Sequence, residues 1–116
     1  MITVDPASAL PPFEQIRSQL ADAIRAGGLE EGRRLPSIRQ LAGDLRVAAG
    51  TVARAYALLE EEGLVETSRA RGTRVRAGQA HPDAVRQAAR VFVASAGDLT
   101  LEELLGAVRA AWDDRG

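Results

Sequence analysis

Arg69, Arg71, Arg74 and Arg76 fall within eight positions, and no acidic residue lies among them. A guanidinium is planar, permanently charged and presents a rigid fork of donors that fits phosphate oxygens. The chemistry open to such a cluster is the holding of a polyanion. The net charge of the chain is −1, which by itself speaks against a nucleic-acid binder. The acids, however, gather elsewhere, at Glu60-Glu61-Glu62 and Asp113-Asp114. At physiological salt a charge is felt over about 8 Å, so a local basic patch on a near-neutral protein still attracts phosphate. An arginine run on its own is more often a solvated surface, so the elements around it decide.

Few other chemistries are available. The sequence has no cysteine, which excludes disulfides, thiolate metal sites and thiol catalysis. Its one histidine, His81, stands before Pro82 and reads as a solvated linker residue. No nucleophile–base arrangement, carboxylate pair or metal-spaced cluster is present, so no enzyme activity, cofactor or metal is expected. No apolar run approaches the roughly 20 residues that span a bilayer. The start, Met1-Ile2-Thr3-Val4-Asp5-Pro6, lacks the pattern of a signal peptide. A cytoplasmic location without a membrane partner is the expectation. The 116 residues are 46% hydrophobic but only 3% aromatic, and a core of Ala, Leu and Val suits packed helices.

Something must position the arginines. Residues 1–11 read as an extended arm running into Pro11-Pro12. Pro12 suits the first turn of a helix, and Phe13, Ile16, Leu20, Ala23 and Ile24 recur at helical spacing over about 12–26. Gly27-Gly28 ends that helix, and 29–35 reads as a loop. Ser37 can cap a second, short helix with the stripe Ile38, Leu41, Ala42 and Leu45. After a break at 46–48, Val52, Ala55, Tyr56 and Leu59 mark a third helix over about 49–62, closed by Gly63. Two short helices joined by a tight turn form a helix-turn-helix, here about 37–60. Residues 64–68 and 73–76 read as two strands around a turn at 69–72, a wing over about 64–76. The arginine cluster therefore sits on a hairpin directly behind a candidate recognition helix.

Two further helices follow a linker. One opens at Pro82 and runs to about Ala96. The other begins at Thr100-Leu101-Glu102-Glu103, the pattern of a capping box. The first is apolar on more than one face, and the second carries a clean stripe. A pair of about 35 residues is too small to fold well alone. It is read as a dimerisation tail built on Val85, Ala89, Phe92, Leu101, Leu104, Leu105, Val108 and Trp112. The expected fold class is mainly α with a small β-hairpin. Its parts are an arm (1–11), a winged helix-turn-helix (12–78) and a two-helix tail (79–116).

From Pro12 to Val75 the chain closely resembles the DNA-binding domain of GntR-family regulators. The telling segments are Pro12-Phe13-Glu14-Gln15-Ile16, Gly32-Arg33-Arg34-Leu35-Pro36-Ser37-Ile38-Arg39-Gln40-Leu41-Ala42, Thr51-Val52-Ala53-Arg54-Ala55-Tyr56, Leu59-Glu60-Glu61-Glu62-Gly63-Leu64-Val65 and Arg71-Gly72-Thr73-Arg74-Val75. The short helical tail is similar to that of the YtrA-type subfamily. The resemblance implies a homodimeric regulator on a palindromic operator in double-stranded DNA, most often a repressor, often of a membrane-transporter operon. Carried over by position, it implies DNA contacts at Ser37 and Arg39, at Gly50, Thr51 and Arg54 on the recognition helix, and at Arg71, Gly72 and Thr73 on the wing. The charge pattern adds Arg69.

The chain also departs from the family. Where relatives start the recognition helix with a polar cap and polar side chains, it has Ala48, Ala49 and Gly50. Ala48 cannot cap, at a cost of roughly 1 kcal/mol, and the next two positions give up direct base contacts. This predicts a greater share of affinity for the wing. It also motivates an alternative, a winged-helix protein-interaction module that has lost DNA binding. A small-molecule effector is left open, since so short a tail can hardly enclose a pocket of a few hundred Å3, although a site between two subunits could.

Overall fold

Pro12 occupies the first turn of α1 (Pro12–Arg25), where its missing N–H would have had no partner in any case. The computed structural model describes residues 2–115; Met1 of the arm and Gly116 of the tail lie outside the described residues. The chain divides between His81 and Pro82 into two compact units. In the first, α1 is followed by α2 (Ile38–Leu45), α3 (Ala49–Glu61) and the strands β1 (Val65–Ser68) and β2 (Gly72–Val75). α4 (Asp83–Ala94) and α5 (Leu101–Asp114) make the second.

The core of the first unit follows from the apolar spacing. Ile16, Leu20, Ala21 and Ile24 of α1, Leu41 and Ala42 of α2, and Val52, Ala55, Tyr56 and Leu59 of α3 are buried together with Leu35, Leu64, Val65 and Val75. Each buried aliphatic side chain contributes about 1.5–3 kcal/mol relative to exposure. The Tyr56 hydroxyl keeps a partner inside this core, donating to the Pro36 carbonyl at 2.7 Å. Burial pushes its pKa up from 10.0 to about 12.

Helix ends behave as their residues dictate. The Ser37 hydroxyl oxygen accepts the Gln40 N–H at 3.1 Å and starts α2. α2 stops where Arg46 turns left-handed, at φ 57° and ψ 46°. It is the one residue other than glycine with positive φ among the described residues. Ala48, the residue before α3, makes no side-chain cap hydrogen bond.

Two expectations need correction. The segment 29–35 is not simply a loop. Arg34 bridges Arg74 in antiparallel fashion, with Gly32 N–H donating to Val75 O (2.8 Å), Val75 N–H to Arg33 O (3.0 Å) and Leu35 N–H to Thr73 O (2.8 Å). The two-stranded wing is thus flanked by an isolated bridge at Arg34, and the extended bias of a residue before proline favours it. The N-terminal arm, expected to be extended over 1–11, turns at 6–10 and is tied to α1. The Gln15 side chain, a buried amide, accepts from Asp5 N–H at 2.8 Å and donates to the carbonyls of Asp5 (2.9 Å) and Leu10 (2.8 Å). One turn later, Gln19 exchanges hydrogen bonds with the Thr3 backbone at 3.0 and 2.7 Å. Ile2 and Val4 then pack on the edge of the core.

In the second unit, Thr100 and Glu103 form the expected capping box at the start of α5. α4 buries none of its residues. Of the residues assigned to dimerisation, Leu104 is buried within the chain, whereas Val85, Leu101, Leu105, Val108 and Trp112 are exposed and Phe92 is only partly covered. No helix of the described residues is long and apolar enough to cross a membrane.

Candidate nucleic-acid interface

β1 and β2 pair antiparallel with Val65 opposite Val75 and Ser68 opposite Gly72, which places Arg69, Ala70 and Arg71 at the tip. The Arg71 N–H donates to the Ser68 hydroxyl at 3.0 Å, and the Thr67 and Thr73 hydroxyls meet across the strands at 3.0 Å. Gly72 has φ +68°, a conformation only glycine adopts freely. The strand starts there rather than at Thr73, so the expected turn is shorter by one residue. Arg69 and Arg71 are exposed.

Between the wing and α2 runs a cleft of about 270 Å3, lined by Ser37, Arg39, Gly72, Thr73 and Arg34 over an apolar floor, with no carboxylate among its lining residues. Four residues expected to touch DNA from two distant stretches of sequence thus meet on one surface. Ser37 uses a lone pair to cap α2, and its hydroxyl proton remains free to donate to a phosphate.

The recognition helix contributes differently. Gly50 sits in open space, with nothing within 4 Å of where a β-carbon would stand. No packing demand explains its glycine; the position simply presents bare backbone. Thr51 is half-buried beside it. Arg54 is exposed, but it lies over the Phe13 ring, 3.7 Å from the centroid, and is not among the residues lining the cleft. The first turn of α3 contains no acid, while its far end, roughly 20 Å away at 1.5 Å per residue, carries Glu60, Glu61 and Glu62. Glu62 is paired with Arg17 at 2.7 Å and Arg25 at 3.5 Å. Charge along α3 is therefore sorted so that a polyanion is drawn to the N-terminal end, which the helix dipole also favours.

Sequence reasoning missed Arg34, Phe13 and the two glutamines that pin the arm. Arg34 carried a signal in its place before Leu35-Pro36. The pairing of Phe13 with Arg54 joins two helices and leaves no local trace.

Residues 12–75 match the family of bacterial regulatory proteins named gntR. The chain belongs to the GntR family. It carries that family's winged helix-turn-helix, a DNA-binding domain of transcriptional regulators. Over 100 residues it is 44% identical to the HTH-type transcriptional regulator Rv1152 of Mycobacterium tuberculosis, covering 86% of this chain and 83% of that protein. It is 44% identical over 73 residues to the HTH-type transcriptional repressor YtrA of Bacillus subtilis, covering 63% of this chain and 56% of YtrA. Among solved structures it is similar to YtrA from Sulfolobus acidocaldarius, a GntR-family transcription factor, with a TM-score of 0.61 and 35% identity over 79% of this chain and 92% of that one. The mainly helical fold with a two-stranded antiparallel hairpin agrees with this GntR-family structure.

Proposed function

We propose that this GntR-family protein is a homodimeric repressor that sets two copies of its winged helix-turn-helix on a palindromic operator, in front of a membrane-transporter operon. The observation that carries the DNA-contact part is the acid-free cleft in which Ser37 and Arg39 from α2 meet Gly72 and Thr73 from the wing. A phosphate backbone lying there would fix register, while the N-terminal end of α3 would approach the major groove. Gly50, Thr51 and Arg54 on that helix and Arg69 and Arg71 at the wing tip complete the proposed contact set.

Support for a dimer comes from the tail. α4 buries no residue of its own, and Val85, Phe92, Leu101, Leu105, Val108 and Trp112 leave an apolar surface uncovered. Exposed apolar residues that form a contiguous patch mark association sites on proteins. Repression rests on the similarity to YtrA of Bacillus subtilis, which is named a transcriptional repressor; the transporter operon rests on the resemblance of the short helical tail to the YtrA-type subfamily alone.

The test is a footprint on DNA upstream of the gene, with sedimentation of the protein alone. A dimer that protects two symmetric half-sites about one or more helical turns apart supports the reading. A monomer, or a single unpaired site, contradicts it. The uncapped Ala48 favours a second reading, a winged helix kept for protein contacts, and the absence of any footprint at low salt would select it.

A further inference from the structure

Gly72 is occupied from above. A β-carbon placed on it would come within 3.0 Å of Arg34 Nε, 3.3 Å of Nη2 and 3.4 Å of Cζ. Such a carbon would force the guanidinium to move. We propose that Arg34 is a DNA-backbone-binding residue and that Gly72 is its seat: the glycine leaves the space in which the guanidinium is held at the mouth of the cleft, ready for a phosphate passing between α2 and the wing. This rests on the DNA-binding reading above.

Arg34 has no competing duty among the described residues. Arg17 pairs with Glu14 and Glu62, and Arg25 with Glu62. Arg74 donates from Nη1 to the Gly32 carbonyl at 2.8 Å, and Arg54 covers Phe13. Among the described residues Arg34 makes no ion pair, and the bridged segment it belongs to is held by backbone groups on either side of it. Its side chain shares the cleft with Ser37, Arg39 and Thr73 and with no acid. A guanidinium in that position is left with its donors for an external anion, and repelled by nothing a phosphate would not neutralise. Gly72 therefore does two things. Its positive φ shapes the tip, which asparagine could also do. Its missing side chain leaves the Arg34 guanidinium where it lies, whereas a β-carbon would displace it by a few tenths of an ångström.

A double-mutant cycle on the whole chain tests this, using a duplex from its own upstream region and anisotropy titrations at several salt concentrations. Arg34→Gln is expected to weaken binding roughly 3- to 10-fold and to reduce the slope of log K against log salt by about 0.9, one phosphate contact. Arg34→Lys should keep most of the slope. Gly72→Asn, which tolerates the positive φ but adds a side chain, should weaken binding in the wild-type background and cost little more once Arg34 is glutamine. Thermal melts of each variant separate these effects from unfolding. Unchanged affinity and slope in Arg34→Gln, while the wild type binds with a steep slope, overturn the assignment alone. Additive losses in the cycle overturn the seating by Gly72. A wild type that binds without salt dependence sinks the DNA-binding reading itself.

Discussion

The Arg54 guanidinium stacks on the Phe13 ring at 3.7 Å from its centroid, tying the recognition helix to the first turn of α1. A cation over a ring uses its face and leaves edge donors available. The contact therefore holds Arg54 in one orientation without spending the groups that would meet DNA. Such stacking is worth about 0.5–1 kcal/mol at an exposed site. Phe13→Leu keeps an apolar residue there and removes the ring face. It is expected to weaken operator binding about 2- to 5-fold, while Arg54→Ala weakens it at least as much. Equal affinity of Phe13→Leu and wild type in anisotropy titrations would show that the stack has no part in binding.

The Gln15 amide is the tie between the arm and α1. Its three hydrogen bonds, at 2.8, 2.9 and 2.8 Å, all go to arm backbone. Gln15→Ala leaves those backbone groups without their partner and should cost about 1–3 kcal/mol. Urea denaturation reads the loss, and limited proteolysis should cut first within residues 2–10. A variant as stable as wild type, with an equally protected arm, would show that Gln19 and the packing of Ile2 and Val4 hold the arm without it.

Ala48 has the extended backbone of an N-cap, φ −65° and ψ 146°, and no side-chain cap hydrogen bond. Ala48→Ser supplies a hydroxyl acceptor to the first-turn N–H groups of α3 and should raise stability by about 1 kcal/mol. Thermal unfolding measures it. No gain would mean that these N–H groups are already satisfied by solvent at no cost.

Tyr56 is buried and its phenol titrates near 12 rather than 10.0. The neutral form is the one the fold prefers, and the unfolded chain loses its proton first. The stability linked to this group is therefore intact below pH 10 and lost as pH rises toward 12. Tyr56→Phe should cost about 1 kcal/mol at neutral pH by leaving the Pro36 carbonyl unpaired, and should flatten the alkaline decline. Urea midpoints at neutral and alkaline pH check both effects. An unchanged alkaline slope in the variant would assign that decline to other groups.

Much of this architecture was legible in the sequence because it is written in local chemistry. Ser37, the Thr100–Glu103 box and Gly63 mark helix ends by what their own atoms can do, and the stripe Val52, Ala55, Tyr56 and Leu59 follows from helical period alone. The wing strands were legible to within one residue at Gly72. What was not legible depends on contacts between stretches distant in sequence. The pairing of Arg33–Leu35 with β2, the Gln15 and Gln19 ties to the arm, and the Arg54–Phe13 stack arise only once helices are packed. The left-handed Arg46 was hidden for another reason: it closes α2 with Val47 N–H donating to Ala42 O at 3.0 Å, a helix end that is usually made by glycine.

The central claim, that the wing and the α2 cleft hold a DNA backbone, is tested most directly by the salt dependence of binding for wild type and Arg71→Ala, on an upstream duplex and on an unrelated one. Wild-type affinity should fall steeply with salt. Arg71→Ala should weaken binding to both duplexes alike and lower the slope by about 0.9. Affinity and slope that stay the same when Arg71 is removed would contradict the account.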